Sequence, residues 1–249
     1  MEQRASNGTV LILGATSDLA VALAAEFASR NYSLVLAGRD MDQLNIIAAD
    51  LHIRYRVPVE FRQFDALHFE SHAEFYNTLS QRPDIVICVF GLLGKQEEAQ
   101  ENWSMAARII DSNYTGAVSI LNIVANDFER QRSGVIVGIS SVAGDRGRQS
   151  NYLYGSAKAG FTAYLSGLRN RLFKSNVHVL TVKPGFMKTR MIDGMKTPGP
   201  LTAEPQRAAA AIYRAIIKRR NVTYVLWMWR YIMVIICAIP ESIFKKLKL

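Results

Sequence analysis

The sequence predicts an α/β fold of the doubly wound class, in which helices cover both faces of a parallel sheet. Short apolar runs without polar alternation, typical of buried strands, recur along the 249 residues. They alternate with segments whose apolar residues return every three or four positions, as in helices. Strands and helices that alternate this regularly pair in parallel, because right-handed crossovers place each helix over the sheet.

The individual elements follow from these runs, and the length fits one domain. The predicted strands are residues 9–13, 33–37, 59–63, 85–90, 135–139 and 178–182, with a last strand near 222–226. The predicted helices are residues 19–30, 41–55, 71–79, 103–132, 154–172 and 208–219. The Pro- and Gly-rich stretch 197–205 is predicted to be a mobile loop. Ligands of doubly wound sheets bind beyond the carboxyl ends of the strands, so chemistry is expected in the segments that follow each strand.

Charge and cysteine content narrow the class of partner. The formal net charge is +9, but no long basic stripe and no nucleic-acid motif occurs, so nucleotide phosphate or an anionic membrane is the expected partner. The two cysteines form neither a disulfide framework nor a zinc pattern, and no metal site is predicted. The N-terminal residues 1–7 are polar and lack an apolar signal core, which predicts a cytoplasmic location.

The turn after the first strand is a candidate nucleotide site. It opens a helix, where unpaired backbone N–H groups favour a pyrophosphate. Only Gly14 remains of the usual three glycines, since Asp18 and Ala20 stand at the other two positions, and Asp18 is expected to cap the helix. An ordinary strand-to-helix turn would show the same pattern. The predicted cofactor contacts in this turn are Gly14, Thr16, Ser17, Asp18 and Leu19.

Two further residues follow strands at positions that face the adenosine half of a dinucleotide. Arg39 ends the second strand, where an acid normally meets a bare ribose and a base meets a 2′-phosphate, so Arg39 permits NADPH. Asp65 follows the third strand and could accept a hydrogen bond from the adenine amino group. A solvated surface arginine and a helix-capping aspartate are the alternatives.

The candidate catalytic residues are Tyr154 and Lys158. Tyr154 alone among ten tyrosines has a lysine four positions later, which places both side chains on one helix face. A neighbouring ammonium and a bound nicotinamide cation are expected to lower the pKa of the phenol. Ser141, thirteen residues before Tyr154, follows the fifth strand at the same edge of the sheet.

With Asn113 in Asp-Ser-Asn-Tyr-Thr-Gly and the segment Pro-Gly-Phe-Met-Lys-Thr at 184–189, these motifs resemble the short-chain dehydrogenase/reductase family. The resemblance implies a Rossmann-type NAD(P)-binding domain in which Tyr154 protonates the substrate oxygen and Lys158 holds the nicotinamide ribose. It further implies that Ser141 hydrogen-bonds the carbonyl and that Asn113 anchors a water in the proton relay. The residues implied to set the nicotinamide face are Pro184, Gly185 and Thr189.

The sequence departs from the family after the fourth strand. Most relatives carry Asn-Asn-Ala-Gly there, whereas this chain has Val-Phe-Gly-Leu-Leu-Gly at 89–94. Phe90 and Gly91 are therefore expected to line the cofactor wall in a different way.

The C-terminal apolar run 222–239 has borderline transmembrane length. After the last strand, roughly thirteen residues remain for a helix, or about 20 Å, against a hydrocarbon core of about 30 Å. We therefore predict a catalytic domain at 1–226 and an apolar helical segment at 227–249 that lies on the inner face of the cytoplasmic membrane. Trp227, Trp229 and Tyr231 are expected to enter the interface, followed by an amphipathic tail. A dimer interface or a lid over the substrate pocket is the alternative.

Several pieces together resemble one branch of the family, the decaprenylphosphoryl-2-keto-pentose reductases: residues 14–18, 89–94, 112–114, 143–148 and 239–246. This resemblance implies reduction of the 2′-keto group of a pentose on a polyprenyl phosphate, in arabinan synthesis for the cell envelope. It also implies NADH as the usual cofactor and a flavin-dependent oxidase as partner, in a homo-oligomer or hetero-complex. The alternatives are a reductase of another membrane-dissolved ketone, of 3-ketoacyl or sterol type, and a non-catalytic scaffold or redox sensor.

Four basic residues in two loops are candidates for the substrate phosphate. Arg146 and Arg148 lie between Ser141 and Tyr154, whereas Lys188 and Arg190 lie in the loop after the sixth strand. We expect the four cations to converge beside the keto carbon. Ordinary solvated loop charges would look the same.

Overall fold

The computed structural model describes residues 6–247 and contains a seven-stranded parallel sheet with helices on both faces. The strands are β1 (Thr9–Leu13), β2 (Ser33–Gly38), β3 (Val59–Gln63), β4 (Ile85–Cys88), β5 (Val135–Ile139), β6 (His178–Lys183), β7 (Phe186–Met187), β8 (Thr202–Ala203) and β9 (Val222–Tyr224). The helices are α1 (Asp18–Ala28), α2 (Met41–Tyr55), α3 (His72–Asn77), α4 (Gln96–Glu101), α5 (Trp103–Ile110), α6 (Gly116–Gln131), α7 (Tyr152–Leu172), α8 (Pro205–Ile217), α9 (Met228–Ala238) and α10 (Glu241–Phe244). The predicted doubly wound class is confirmed. Residues 1–5 of the predicted polar N-terminus and residues 248–249 of the predicted C-terminal segment lie outside the described residues.

The strand order is β3-β2-β1-β4-β5-β6-β9, and every pair is parallel. The order reverses between β1 and β4, so the crossovers leave a crevice beyond the carboxyl ends of these two strands. β1 and β2 are buried along their whole length because helices cover both sides of the sheet. Val10 and Ile12 pack into the core shared with α1, α8 and α9, whereas Leu11 and Leu13 pack into the core shared with α6 and α7.

Three predicted elements differ from the structure. The fourth strand ends at Cys88 instead of residue 90, because the chain turns away where Phe90 packs closely against Gly14. The predicted helix 103–132 is two helices joined by a π-helical turn, Asp111–Thr115. The stretch 197–205 holds a 3₁₀ turn, Gly199–Leu201, and the strand β8, which pairs with β7.

The C-terminal segment begins with α9, whose eleven residues span about 16 Å. Within residues 6–247, no helix has both the length and the apolar character needed to cross a membrane. Trp229 and Met233 turn inward and join the core of α1 and α8. The division at residue 226 stays a prediction.

Candidate active site

The turn between β1 and α1 depends on glycine at position 14. Gly14 has φ +85°, and a Cβ there would lie 2.8 Å from the backbone nitrogen of Phe90. The Gly14 N–H donates to the carbonyl of Ala37 at 2.8 Å, which ties the turn to β2. Any side chain at this position would strain the turn and displace the strand beside it.

Ser17 is the residue that caps α1, since its hydroxyl accepts from the N–H of Ala20 at 3.3 Å. The prediction that Asp18 caps this helix is wrong, because Asp18 is already the first helical residue. Unpaired N–H groups in the first turn of a helix favour a pyrophosphate. Leu19 is buried in the core, so only its backbone can face a ligand.

Asp18 instead binds the loop that follows β6. Its carboxylate accepts from the backbone N–H of Arg190 at 2.7 Å and from Nε of the same arginine at 3.1 Å. The Arg190 guanidinium also donates to the carbonyl of Thr16. Thr189, just before this arginine, donates its hydroxyl proton to the Met187 carbonyl at 3.3 Å. The loop and the glycine turn are therefore fastened together.

The end of β2 offers an unpaired cation. The Arg39 side chain is exposed. Among the described residues, 6–247, it has no ion-pair or hydrogen-bond partner. It lines an open cavity with Thr16, Asp40 and Gln43. Asp40 is occupied as the cap of α2, where it accepts from the N–H of Gln43 at 2.9 Å. An unpaired guanidinium at this position can pair with a 2′-phosphate.

Asp65 lies in a turn after β3. Its Oδ1 accepts from the N–H of Leu67 at 3.0 Å. The alternative that Asp65 caps a helix is wrong, because the next helical turn begins only at Phe69.

The wall after β4 is built around Gly91. A Cβ at this position would lie 2.6 Å from Asn113 Oδ1 and 3.3 Å from Lys158 Nζ. Gly91 therefore leaves room for two of the predicted catalytic side chains. Phe90 lies beside it, packs on the glycine turn and has its ring 5.8 Å from that of Phe64.

Asn113 is buried within the π-helical turn. Its Nδ2 donates to the carbonyls of Leu92 at 2.6 Å and Ile109 at 2.8 Å, and its Oδ1 accepts from the N–H of Leu92 at 3.3 Å. In the widened turn the Gly116 N–H donates to the carbonyl five residues back. The helix predicted from the sequence did not include this π-helical turn. The turn holds Asn113 between α5 and the segment after β4.

Ser141 and Tyr154 meet beyond the end of β5. Ser141 has an extended backbone, its hydroxyl accepts from the N–H of Ala143 at 3.1 Å, and it lies near enough to the Tyr154 phenol to lower its pKa. Helix α7 approaches this turn closely, because a Cβ on Gly155 would lie 2.8 Å from the carbonyl of Ala143. The small residues on both sides bring the phenol to the serine.

Lys158 is 3% exposed, and its ammonium donates to the carbonyl of Ile139 at 3.0 Å. The ammonium nitrogen lies 5.7 Å from the centre of the Tyr154 ring. Ser140, which the sequence analysis did not single out, fixes this turn of α7 by donating to the Lys158 carbonyl at 3.0 Å. Its only sequence signal is its place beside Ser141.

Burial controls the protonation of this pair. It raises the pKa of Tyr154 to about 12, although the nearby Ser141 hydroxyl lowers it in part. Burial also lowers the pKa of Lys158 to about 8. Lys158 makes no contribution to this pKa, and the expected lowering by the ammonium together with a bound nicotinamide cation stays a prediction. Tyr154 is therefore protonated at neutral pH, as an acid for ketone reduction must be.

The loop after β6 packs under α9. The carbonyl of Pro184 accepts from the N–H of Val142 at 3.0 Å, which joins the loop to the serine turn. Gly185 needs to lack a side chain because a Cβ would overlap the indole of Trp229. That indole also meets the Phe186 ring edge to face at 5.5 Å and donates to the Leu201 carbonyl at 3.1 Å. The sequence analysis missed this contact.

The four predicted phosphate ligands do not converge. The Arg146 guanidinium donates to the carbonyls of Ile236 at 2.7 Å and Ile239 at 2.6 Å, at the C-terminal end of α9, where a cation is favourable. Lys188 pairs with Glu204 at 3.2 Å, and Arg190 is held by Asp18 as described. For these three the prediction is corrected.

Arg148 differs from the other three. Its Nη2 contacts the sulfur of Met233 at 3.3 Å, and its Nε is buried without a hydrogen-bond partner in the described part of the chain. Burial lowers the pKa of this guanidinium. It remains a candidate for an anionic group.

A family model described as short chain dehydrogenase matches residues 8–198. An uncharacterized oxidoreductase of Mycobacterium tuberculosis is 35% identical over 241 residues, which make up 96% of each chain. An uncharacterized oxidoreductase of Streptomyces coelicolor is 32% identical over 244 residues, 96% of this chain and 95% of the relative. The solved structure of a short-chain dehydrogenase from Sphingobium yanoikuyae in complex with NADPH superposes with a TM-score of 0.82 at 26% identity, covering 94% and 97% of the two chains. A bulky-bulky ketone specific alcohol dehydrogenase from Comamonas testosteroni shares the fold, with a TM-score of 0.80 at 23% identity over 96% and 97%.

Proposed function

Because the chain belongs to the short-chain dehydrogenase family and is an NAD(P)-dependent oxidoreductase, we propose that it reduces the keto group of a pentose carried on a polyprenyl phosphate. The observation that carries the reductase assignment is the meeting of Ser141, Tyr154, Lys158 and Asn113 around the ends of β4 and β5. This edge of the sheet adjoins the glycine turn.

The roles of the residues follow from their protonation and contacts. When bound, the nicotinamide supplies the hydride that reaches the carbonyl carbon. Tyr154, protonated at neutral pH, gives its proton to the carbonyl oxygen, while the Ser141 hydroxyl donates a hydrogen bond to the same oxygen. Lys158, in contact with the Ile139 carbonyl, is within one helical turn of the phenol and can hold the nicotinamide ribose. Asn113, which lies with Lys158 beside Gly91, fixes the segment after β4 through Leu92.

For the cofactor we propose NADPH. The unpaired Arg39 at the end of β2 supports this choice, and the similar dehydrogenase of Sphingobium yanoikuyae binds NADPH. The branch resemblance favours NADH, so initial rates with the two cofactors at equal concentration decide the question. A higher kcat/KM for NADH would overturn the preference for NADPH.

For the substrate, three features support a lipid-linked sugar. The sequence segments that resemble the branch are spread along most of the chain. The loop after β6 lies under the apolar helix α9, where a lipid chain can pack. Arg148 keeps a buried Nε free for a phosphate oxygen. The proposal includes a flavin-dependent oxidase as the partner that forms the ketone.

The reductase assignment is tested with Tyr154→Phe. Loss of the proton donor should lower kcat by at least about a hundredfold, with cofactor affinity unchanged. Tyr164→Phe is the matched control, because Tyr164 lies on the same helix and its hydroxyl donates to Asn122 at 2.8 Å, away from the site. Oxidation of reduced nicotinamide and nucleotide fluorescence give the two readouts. Substantial turnover by Tyr154→Phe would sink the assignment, and no turnover by the unaltered protein on any ketone would favour a scaffold.

The substrate assignment is tested with Arg148→Ala. It should raise the KM for a polyprenyl-phosphate ketone several-fold more than the KM for a soluble ketone. Lys188→Ala, whose side chain is paired with Glu204, is the control and should change neither value. Equal effects of Arg148→Ala on both substrates would favour a 3-ketoacyl or sterol ketone.

A further inference from the structure

Helix α9 is apolar on two sides. Its inner side carries Trp229 and Met233, which are 4% and 2% exposed. The opposite side, here called the outer face, consists of Trp227, Tyr231, Val234 and Ile235, all between 59% and 70% exposed. These residues stand at positions i, i+4, i+7 and i+8 and so form one stripe. A helix at the surface of a soluble domain normally carries polar residues there.

The chain that follows α9 extends this surface. Ile243 is 53% exposed and Leu247 is 41% exposed. The cations Arg230, Lys245 and Lys246 are exposed, and none has an ion pair with another described residue. The apolar stripe is thus accompanied by free positive charge.

The positive charge distinguishes the possible occupants of this surface. A two-fold dimer through the outer face would use the same patch on both copies, so like charges would face one another. An anionic bilayer instead attracts the three cations, while the tryptophan and tyrosine suit the boundary between headgroups and acyl chains. We propose that the outer face of α9 docks on the surface of an anionic lipid bilayer.

The docked helix is held rigidly to the catalytic side of the domain. Arg146, five residues after Ser141, binds the carbonyls at the end of α9 and lies 3.7 Å from the centre of the Phe244 ring. Trp229 contacts Phe186 in the loop after β6. A ketone dissolved in the bilayer would therefore meet the loop after β6 at the membrane surface. The docking surface does not depend on which ketone is reduced.

The predicted membrane segment is refined by this geometry. Trp229 was expected at the interface with Trp227 and Tyr231, but it is buried against the loop after β6. Phe244, which belongs to the segment predicted to be an amphipathic tail, covers Arg146. The membrane contact is left to the outer face with Ile243 and Leu247.

The test is flotation of the full chain with vesicles of phosphatidylcholine, with and without phosphatidylglycerol. The unaltered protein should float with the anionic vesicles and be partly released by salt. Ile235→Asp should lower the bound fraction by about tenfold or more, because it places a charge in the apolar stripe. Ile53→Asp is the matched control, since Ile53 is a 75% exposed isoleucine on α2 and should not affect flotation.

Three outcomes would overturn the proposal. The unaltered protein stays at the bottom of the gradient, or Ile53→Asp lowers flotation as much as Ile235→Asp does. In the third outcome, light scattering shows that the unaltered protein is a dimer and that Ile235→Asp dissociates it, while neither protein floats with vesicles. That result would assign the outer face to a second copy of the chain. Reduction of a soluble ketone by Ile235→Asp at the unaltered rate separates loss of docking from loss of the proposed catalytic function.

Discussion

Replacement of Lys158 by methionine should stabilise the protein while abolishing reduction. The ammonium is buried, and its hydrogen bond to the Ile139 carbonyl does not offset the loss of hydration, since burial lowers its pKa from 10.5 to about 8. Methionine has a similar length, carries no charge and fits an apolar site. The active site therefore holds a charge that folding disfavours.

The magnitude follows from the pKa. One pH unit of difference in pKa corresponds to about 1.4 kcal/mol, so the buried ammonium opposes folding by about 3 kcal/mol at pH 7. Loss of the hydrogen bond to the Ile139 carbonyl destabilises the variant by about 1 kcal/mol. The net gain for Lys158→Met is about 2 kcal/mol, which raises Tm by about 4–8 °C for a chain of this size.

The gain should depend on pH with a defined sign. The folded-state pKa of Lys158 lies below the unfolded value, so the unfolded chain binds more protons between about pH 8 and pH 10.5. Through this window the unaltered protein gains stability relative to the variant. The advantage of Lys158→Met is therefore largest below pH 8 and shrinks toward pH 10.5.

Urea denaturation at pH 7 and pH 10 measures both effects, with turnover assayed in parallel. The control is Lys183→Met. The Lys183 side chain is also largely enclosed, at 12% exposed, but it is paired with Asp145, which also accepts from the Tyr224 hydroxyl at 2.9 Å. Removal of that cation strands a buried carboxylate and should destabilise the fold by about 3 kcal/mol. A Lys158→Met protein that is less stable at pH 7 than the unaltered chain, or whose stability difference grows with pH, would refute the reasoning.

Three other contacts can be tested by substitution. Arg39→Ser should raise the KM for NADPH by about tenfold and leave that for NADH unchanged, and equal changes in steady-state assays would remove Arg39 from 2′-phosphate binding. Asp18→Asn weakens the contacts that hold Arg190, so limited proteolysis within residues 190–197 should be several-fold faster, whereas unchanged cleavage would contradict this role. Gly185→Ala should destabilise the fold by about 1–3 kcal/mol because its methyl group meets Trp229. Trp229→Leu should recover part of that loss in thermal denaturation, and strictly additive losses would exclude the clash.

The fold could be predicted from the sequence because its signals are local. The apolar runs that form β1 and β2 are buried at every residue. Such continuous apolar runs are typical of parallel strands that helices cover on both faces. Tyr154 and Lys158 share one face of α7 because their spacing of four matches a helical turn. Ser141 was found by its position after a strand, a rule that holds for any doubly wound sheet.

The contacts that shape the site depend on residues far apart in the chain. Arg146 binds a carbonyl 90 residues later, and Asp18 holds an arginine 172 residues later. Nothing near Arg146 distinguishes an arginine that caps a distant helix from one that binds a phosphate. The interruption at Asn113 was missed for a related reason. Its π-helical turn is stabilised by Leu92, which belongs to another segment, and the local apolar spacing continues through it.

The C-terminal helix was misassigned in part because helical geometry was not applied within it. Trp227 and Trp229 are two positions apart, and successive helical residues are rotated by about 100°, so the two indoles point to nearly opposite sides. One can enter the core only if the other faces out, as their exposures of 4% for Trp229 and 70% for Trp227 show. The inward indole touches the loop after β6, whereas the outward one belongs to the exposed stripe. A partner on the outer face is therefore separated from the loop after β6 by a single helix of eleven residues.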